Sequence, residues 1–256
     1  MTRERSFDDA RRQIARDAFD AHAAAAYARS RAAHRGYRLQ RDHVLDLLGA
    51  EHRRILDVGC GTGEALAAGC PAGTLGVGVD LSLSMLLHAA SIGSRHSSLR
   101  FLAADAGALP LASESFDAII SIGLLEYVWP DQHVLEEFAR VLRRGGAAII
   151  AFPHQQCLAR RLETAAHRVF DRIRPGVKMT ETAIQAIERP RAADFDRAMA
   201  ECGFKRERAL FCYPQFLGWP VRERLSSLDA WCAHLDPVVG KIRWFGRIYV
   251  GRWQRL

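Results

Sequence analysis

A chain of 256 residues is long enough for one full α/β domain with elaborations and too short for two ordinary ones. Its 49% hydrophobic and 25% charged composition is that of a soluble globular protein, and no apolar run approaches the roughly 20 residues a membrane helix needs. A net charge of +7 suits nucleic acid or a membrane surface as a partner, but arginine and alanine are abundant throughout, so compositional bias is the plainer reading. Met1-Thr2-Arg3-Glu4-Arg5 leads into no apolar core of a signal peptide, and a cytoplasmic protein is expected. The six cysteines, Cys60, Cys70, Cys157, Cys202, Cys212 and Cys232, include no C-x-x-C pair, which argues for reduced thiols and against a metal site or redox motif.

Residues 1–50 read as a helical cap. Phe7 to Ala33 is rich in Ala and Arg with few breakers until Gly36, and Leu39 to Leu48 carries Val44, Leu45, Leu47 and Leu48 at helical spacing. The second helix is expected beside the first strand. The first can cover a cleft, with Tyr27 and Tyr37 as aromatic candidates for closing it.

Ile55-Leu56-Asp57-Val58 is an apolar strand carrying a carboxylate, and Gly59, Gly61 and Gly63 follow at alternate positions before an Ala/Leu-rich helix. Glycines there permit positive φ and let a ligand lie on the backbone. The dinucleotide fingerprint needs its third glycine at position 64, where Glu64 stands, and no G-K-[ST] ending marks a phosphate loop.

The stretch Asp57-Val58-Gly59-Cys60-Gly61-Thr62-Gly63 resembles the glycine motif of the class I S-adenosylmethionine-dependent methyltransferases. The resemblance implies a doubly wound, Rossmann-like α/β fold: a seven-stranded, mostly parallel sheet whose last strand is antiparallel, with the cofactor over the ends of the first strands. Gly59, Cys60, Gly61 and Gly63 would then contact the cofactor. An anionic side chain at Asp57 suits its ammonium, and bare backbone amides suit its carboxylate.

Leu75-Gly76-Val77-Gly78-Val79-Asp80 is a second strand ending in an acid, 17 residues beyond Gly63, where a carboxylate can accept both hydroxyls of a ribose. Ser82 or Ser84 can cap the helix Met85 to Ile92. Asp80-Leu81-Ser82-Leu83-Ser84-Met85 is similar to the second motif of the same family, which places Leu81 and Met85 on either side of the adenine; for Met85 core filling is an equal alternative. Leu99 to Ala106 gives a third strand with a terminal acid, and by resemblance Asp105 and the Ala106 amide meet the adenine edge.

Phe116 to Gly123 is a near-continuous apolar run, expected as a strand buried on both faces. In the family this strand ends at the reaction centre, which implicates Ser121 and Ile122. Leu124-Leu125-Glu126-Tyr127-Val128-Trp129 follows, and Tyr127 stands where the family often has a histidine. Its hydroxyl can orient an acceptor, or its ring can pack on the cofactor. Glu126, His133 and His154 lie on the expected acceptor side as well, and His154 is the position at which a base is plausible.

Asp131 to Leu142 is amphipathic and is expected to end in Arg143-Arg144-Gly145-Gly146, a basic last turn with a glycine cap. Ala147 to Phe152 is the fifth strand, completing a core over 51–153. Residues 154–190 and 214–240 read as insertions above the cofactor. The first carries an apolar stripe from Leu158 to Ile173 opposite arginines, which leaves peripheral membrane contact open, and the second carries Phe216, Leu217, Trp219 and Trp231 for an apolar acceptor pocket. Arg191 to Cys202 is a helix, Phe204 to Tyr213 the sixth strand and Trp244 to Trp253 the last.

No Asn-Pro-Pro-Tyr or Asp-Pro-Pro-Tyr follows the fourth strand, which points away from DNA, and no RNA-binding pattern favours RNA. The expected function is methyl transfer from S-adenosylmethionine, leaving S-adenosylhomocysteine, to O, N or C of a small apolar or aromatic metabolite, with no metal. A membrane-lipid or quinone-like acceptor is an alternative, as is a non-catalytic cofactor-binding scaffold.

Overall fold

The strands are short apolar segments whose periodicity is that of a sheet covered on both sides. In the computed structural model, which describes residues 13, 16, 17, 19, 20, 24–94, 96–154, 157, 190–214 and 246–256, they run β1 (Arg54–Val58), β2 (Leu75–Asp80), β3 (Leu99–Ala103), β4 (Phe116–Ile122), β5 (Leu142–Pro153), β6 (Phe204–Pro214) and β7 (Gly246–Arg255). They form a seven-stranded sheet in the order β3-β2-β1-β4-β5-β7-β6. β1 to β5 pair in parallel, and β7 is antiparallel to both β5 and β6. The doubly wound, mostly parallel sheet is therefore present. The chain reverses direction of winding between β1 and β4, the position at which such sheets open a crevice at their C-terminal edge.

Seven of the helices flank it: α1 (Ala24–Ala33), α2 (Arg35–Leu48), α3 (Glu64–Gly69), α4 (Leu83–Gly93), the single turn α5 (Leu125–Val128), α6 (Gln132–Val141) and α7 (Ala192–Glu201). All seven residues of β4 are buried, as a central strand requires. On one face Leu56, Ile119, Ile150, Phe152 and Trp253 meet Val134, Phe138 and Val141 of α6 and Phe195 and Met199 of α7. On the other, Ile55, Ile120, Ile149 and Val250 meet Val44 and Leu48 of α2. The latter helix lies across β4, β5 and β7 rather than beside β1, held also by Arg252, whose Nη1 donates to the Leu47 carbonyl at 2.7 Å.

Four boundaries depart from expectation. The N-terminal helices divide at His34, whose Nδ1 accepts from the Tyr37 amide at 3.2 Å, so a side-chain cap makes the break and Gly36 is inside α2. β3 stops at Ala103; Asp105 belongs to the next turn, its Oδ1 accepting from the Gly107 amide at 2.9 Å. Arg143 to Gly146 is not a helix end. α6 stops at Val141, and the four residues bulge at the start of β5, where the register passes from Phe116↔Leu142 to Ala118↔Ala147 and Gly145 takes φ +75°. The last strand begins at Gly246 and reaches Arg255. The stretch from Leu158 expected as an arginine-bearing helix, the apolar residues Phe216, Leu217, Trp219, Trp231 and Trp244, and Cys232 lie outside the described residues. Among the described residues no helix is long and apolar enough to cross a membrane.

Candidate functional site

The C-terminal ends of β1, β2 and β4 open into one cleft. The turn after β1 forms its floor. Gly59, Gly61 and Gly63 all adopt left-handed φ, +76°, +52° and +79°. Only Gly61 faces space: a Cβ added there would meet nothing within 4 Å, whereas at Gly59 it would press on Leu124 at 3.0 Å and at Gly63 on the Phe101 ring at 2.9 Å. The outer two glycines are thus required by packing, and the middle one exposes backbone to whatever fills the cleft.

Hydrogen bonds hold this turn rigid from beneath. The amides of Gly59 and Cys60 both donate to the Val79 carbonyl (2.8 and 3.0 Å), and the Gly63 amide donates to the Cys60 carbonyl at 3.0 Å. The Gly61 amide donates to Asp80 Oδ2 at 2.8 Å, and Asp80 Oδ1 accepts from the Ser82 amide at 2.9 Å. The turn amides expected to be bare for a ligand carboxylate are therefore largely engaged, and Asp80 braces the turn while lining the cleft.

Asp57, Asp80 and Asp105 all line the cleft, as do Gly59, Cys60, Gly61, Leu81, Met85, Ala106, Ile122 and Tyr127. Asp57 is 2% exposed. Burial, with Asp80 close by, pushes its carboxyl up to about 8, against the pull of Arg31. Burial also raises Asp80, opposed by the amides of Ser82 and Gly61. Two carboxyls buried this way favour a cationic ligand, which would restore their ionised forms.

Ser82 caps α4 by accepting from the Met85 amide, and its hydroxyl donates to Asp20 of the N-terminal segment. Phe19 packs edge-on against Tyr27 (5.8 Å between centroids) and Tyr127 (5.3 Å), so N-terminal residues, α1 and α5 roof the cleft together. Tyr27 and Tyr37 both line it. Burial pushes the Tyr37 hydroxyl up to about 12, so it keeps its proton across the working pH range.

Four sequence candidates do not line this cleft. Gly63 packs against Phe101 and Ala89. Ser121 is fully buried and its Oγ donates to the Val58 carbonyl at 2.9 Å, tying β4 to β1. His154 is fully buried, with Nε2 3.0 Å from the Gly246 carbonyl and its ring 4.9 Å from Phe211. His133 is exposed, 3.3 Å from Glu136. Among the described residues no group of three His, Cys, Asp or Glu side chains is arranged to hold a metal ion. Conversely, Arg31, Phe19, Gly123 and Leu124 line the cleft without having stood out in the sequence. Arginine is so frequent here that one more on an Ala/Arg-rich helix carries no signal.

Residues 55–146 match the family model described as a methyltransferase domain. A demethylmenaquinone methyltransferase of Renibacterium salmoninarum is 41% identical over 115 residues, 43% of this chain and 46% of that protein, so the chain spans about half the length of the relative it matches. Among solved structures, a chain from the complex of the Haloferax volcanii Trm112 methyltransferase activator with a methyltransferase matches with TM-score 0.63 and 23% identity, covering 93% of this chain and 96% of that one. Magnesium protoporphyrin IX methyltransferase from Synechocystis, solved with bound S-adenosylhomocysteine, matches with TM-score 0.63 and 16% identity over 96% of this chain and 100% of the other. At these identities the structures establish a shared fold.

Proposed function

Because residues 55–146 match a methyltransferase-domain model and lie in a doubly wound sheet, we propose that this chain transfers a methyl group from S-adenosylmethionine to a small apolar or aromatic acceptor. The observation that carries this reading is the convergence of Asp57, Asp80 and Asp105 on one cleft whose floor is the Gly61 backbone. The residues fit the cofactor: Asp57 suits the ammonium, Asp80 the ribose hydroxyls, Asp105 with the Ala106 amide the adenine edge, and Leu81 and Met85 the adenine faces. The space above Gly61 is open, as expected where a ligand lies against backbone.

When bound, S-adenosylmethionine supplies a methyl group already activated by the positive sulfur. The protein's part is then alignment and dryness. Phe19, Tyr27, Tyr37 and Tyr127 roof the cleft and exclude water, and the Tyr127 hydroxyl is the group suited to orient an acceptor. A base in direct reach is needed only for an acceptor that must lose a proton. His154, buried against Phe211 with its ring nitrogen at the Gly246 carbonyl, is suited to holding β5 to β7.

A quinone-like acceptor is the second reading, favoured by the 41% identity to a demethylmenaquinone methyltransferase. That identity spans less than half of either chain, and the matched methyltransferase model stops at residue 146, before both insertions expected to shape the acceptor pocket. We therefore take 1–256 as a single domain in which 1–50 caps the cleft, 51–153 binds the cofactor, and 154–190 with 214–240 selects the acceptor. Incubation with S-adenosylmethionine and an acceptor panel of phenols, aromatic amines and demethylated naphthoquinols tests this. S-adenosylhomocysteine release with one class is expected. Tight cofactor binding with no turnover on any class would favour the scaffold.

A further inference from the structure

Arg31 of α1 is a cation facing the cleft in search of an anion. Its Nη1 donates to the Tyr27 hydroxyl at 2.9 Å, and its guanidinium carbon lies 3.9 Å from the Tyr37 ring centroid and 5.4 Å from that of Tyr27. Burial works against its charge, and Tyr27, Tyr37 and Glu126 together offset this, so it stays protonated. Among the described residues no carboxylate pairs with it within ion-pair distance, although Asp57, Glu64 and Glu126 are near enough to feel its field. A Cβ at Gly123 would lie 4.0 Å from both Nη1 and Nη2, which puts the fork beside the residue that follows β4 at the cleft edge. Arginine offers five donors in a plane, and the contacts to the Tyr27 and Tyr37 hydroxyls leave part of the fork for a planar anion.

The turn beneath supplies the second observation. With the amides of Gly59, Cys60, Gly61 and Gly63 already donating to protein acceptors, the backbone is poorly placed to neutralise a ligand carboxylate. A desolvated guanidinium without a carboxylate partner is costly unless a ligand brings one. We propose that Arg31 binds the carboxylate at the amino-acid end of the cofactor, opposite the ammonium at Asp57, with Tyr27 and Tyr37 as the clamp that positions its fork. This rests on the cleft being a site for S-adenosylmethionine.

Calorimetric titration with two ligands separates the possibilities. S-adenosylhomocysteine carries the amino-acid end, whereas 5′-methylthioadenosine keeps adenine, ribose and thioether without it. Arg31→Gln is expected to weaken S-adenosylhomocysteine by about 10- to 100-fold while changing 5′-methylthioadenosine by less than about 3-fold. Arg31→Lys, which keeps the charge and loses the fork, is expected in between. Thermal melts establish that each variant is folded. Equal weakening of both ligands would make Arg31 a packing residue of the roof, and no weakening of either would remove it from the site; both overturn the assignment. Wild-type protein binding neither ligand overturns the cofactor reading itself, a result distinct from a wild type that binds both and an Arg31→Gln variant that matches it.

Discussion

Asp57→Asn probes the electrostatics of the cleft floor most sharply, because its effects on the free and the ligand-bound protein have opposite sign. The carboxyl is pushed from 3.8 to about 8, chiefly by burial. A folded-state value above the unfolded one means that the neutral form is favoured in the fold. The associated stability is full below pH 4 and is lost as pH rises towards 8. Near pH 7 the free protein carries a penalty on the order of 2–4 kcal/mol for keeping this group in place. Asparagine is nearly the same shape and does not ionise. The variant should therefore raise unfolding free energy at pH 7.5 by about 1–3 kcal/mol and flatten its decline between pH 5 and 8, read from urea denaturation at both ends. It should also weaken S-adenosylhomocysteine by about tenfold or more, since the charge that faces the ammonium is gone. An unchanged pH slope would show that Asp57 is not a buried neutral carboxyl, and wild-type affinity in the variant that it is not the partner of the ammonium.

Further outcomes follow from the same geometry. Wild-type binding of S-adenosylhomocysteine between pH 6 and 8 should strengthen with pH and release protons, because the ligand's cation favours ionised Asp57; calorimetry in two buffers of different ionisation enthalpy measures the release. Gly61→Leu places a side chain in the cleft at φ +52°. It should abolish detectable cofactor binding and cost about 1–2 kcal/mol of stability by denaturation; retained affinity would contradict the placement of the turn. Asp80→Ala removes the acceptor of the Gly61 and Ser82 amides, so cofactor affinity should fall by about 1–3 kcal/mol together with a lowered Tm, and Asp80→Asn should recover part of the latter. Ser82→Ala removes the α4 cap and the contact to Asp20, and should cost about 0.5–2 kcal/mol in chemical denaturation.

The parts of the molecule legible in the sequence are those governed by local spacing. An apolar run with an acid at or just past its end declares a strand edge, and three such runs placed Asp57, Asp80 and Asp105 in one cleft. The glycine turn was legible because positive φ at alternate positions leaves few other residues. What escaped is decided by contacts distant in the chain. Arg143-Arg144-Gly145-Gly146 has the composition of a helix end, but pairing of β5 with β4 draws it into a bulge. Whether a turn amide is bare depends on the Val79 carbonyl and Asp80, some 20 residues on, and no periodicity reports that. Nor does the sequence report that Ser121 Oγ meets the Val58 carbonyl or that His154 Nε2 lies at the Gly246 carbonyl, both contacts to neighbouring strands. Arg31 becomes visible only once Tyr27 and Tyr37 close around it.

One cofactor is expected to occupy the cleft at the ends of β1, β2 and β4. Calorimetric titration of the wild-type protein with S-adenosylhomocysteine at pH 8, where Asp57 is substantially ionised, measures this directly. A saturable isotherm with one site per chain, displaced by S-adenosylmethionine, is the predicted result. Absence of binding, or occupancy that survives Gly61→Leu unchanged, would contradict it.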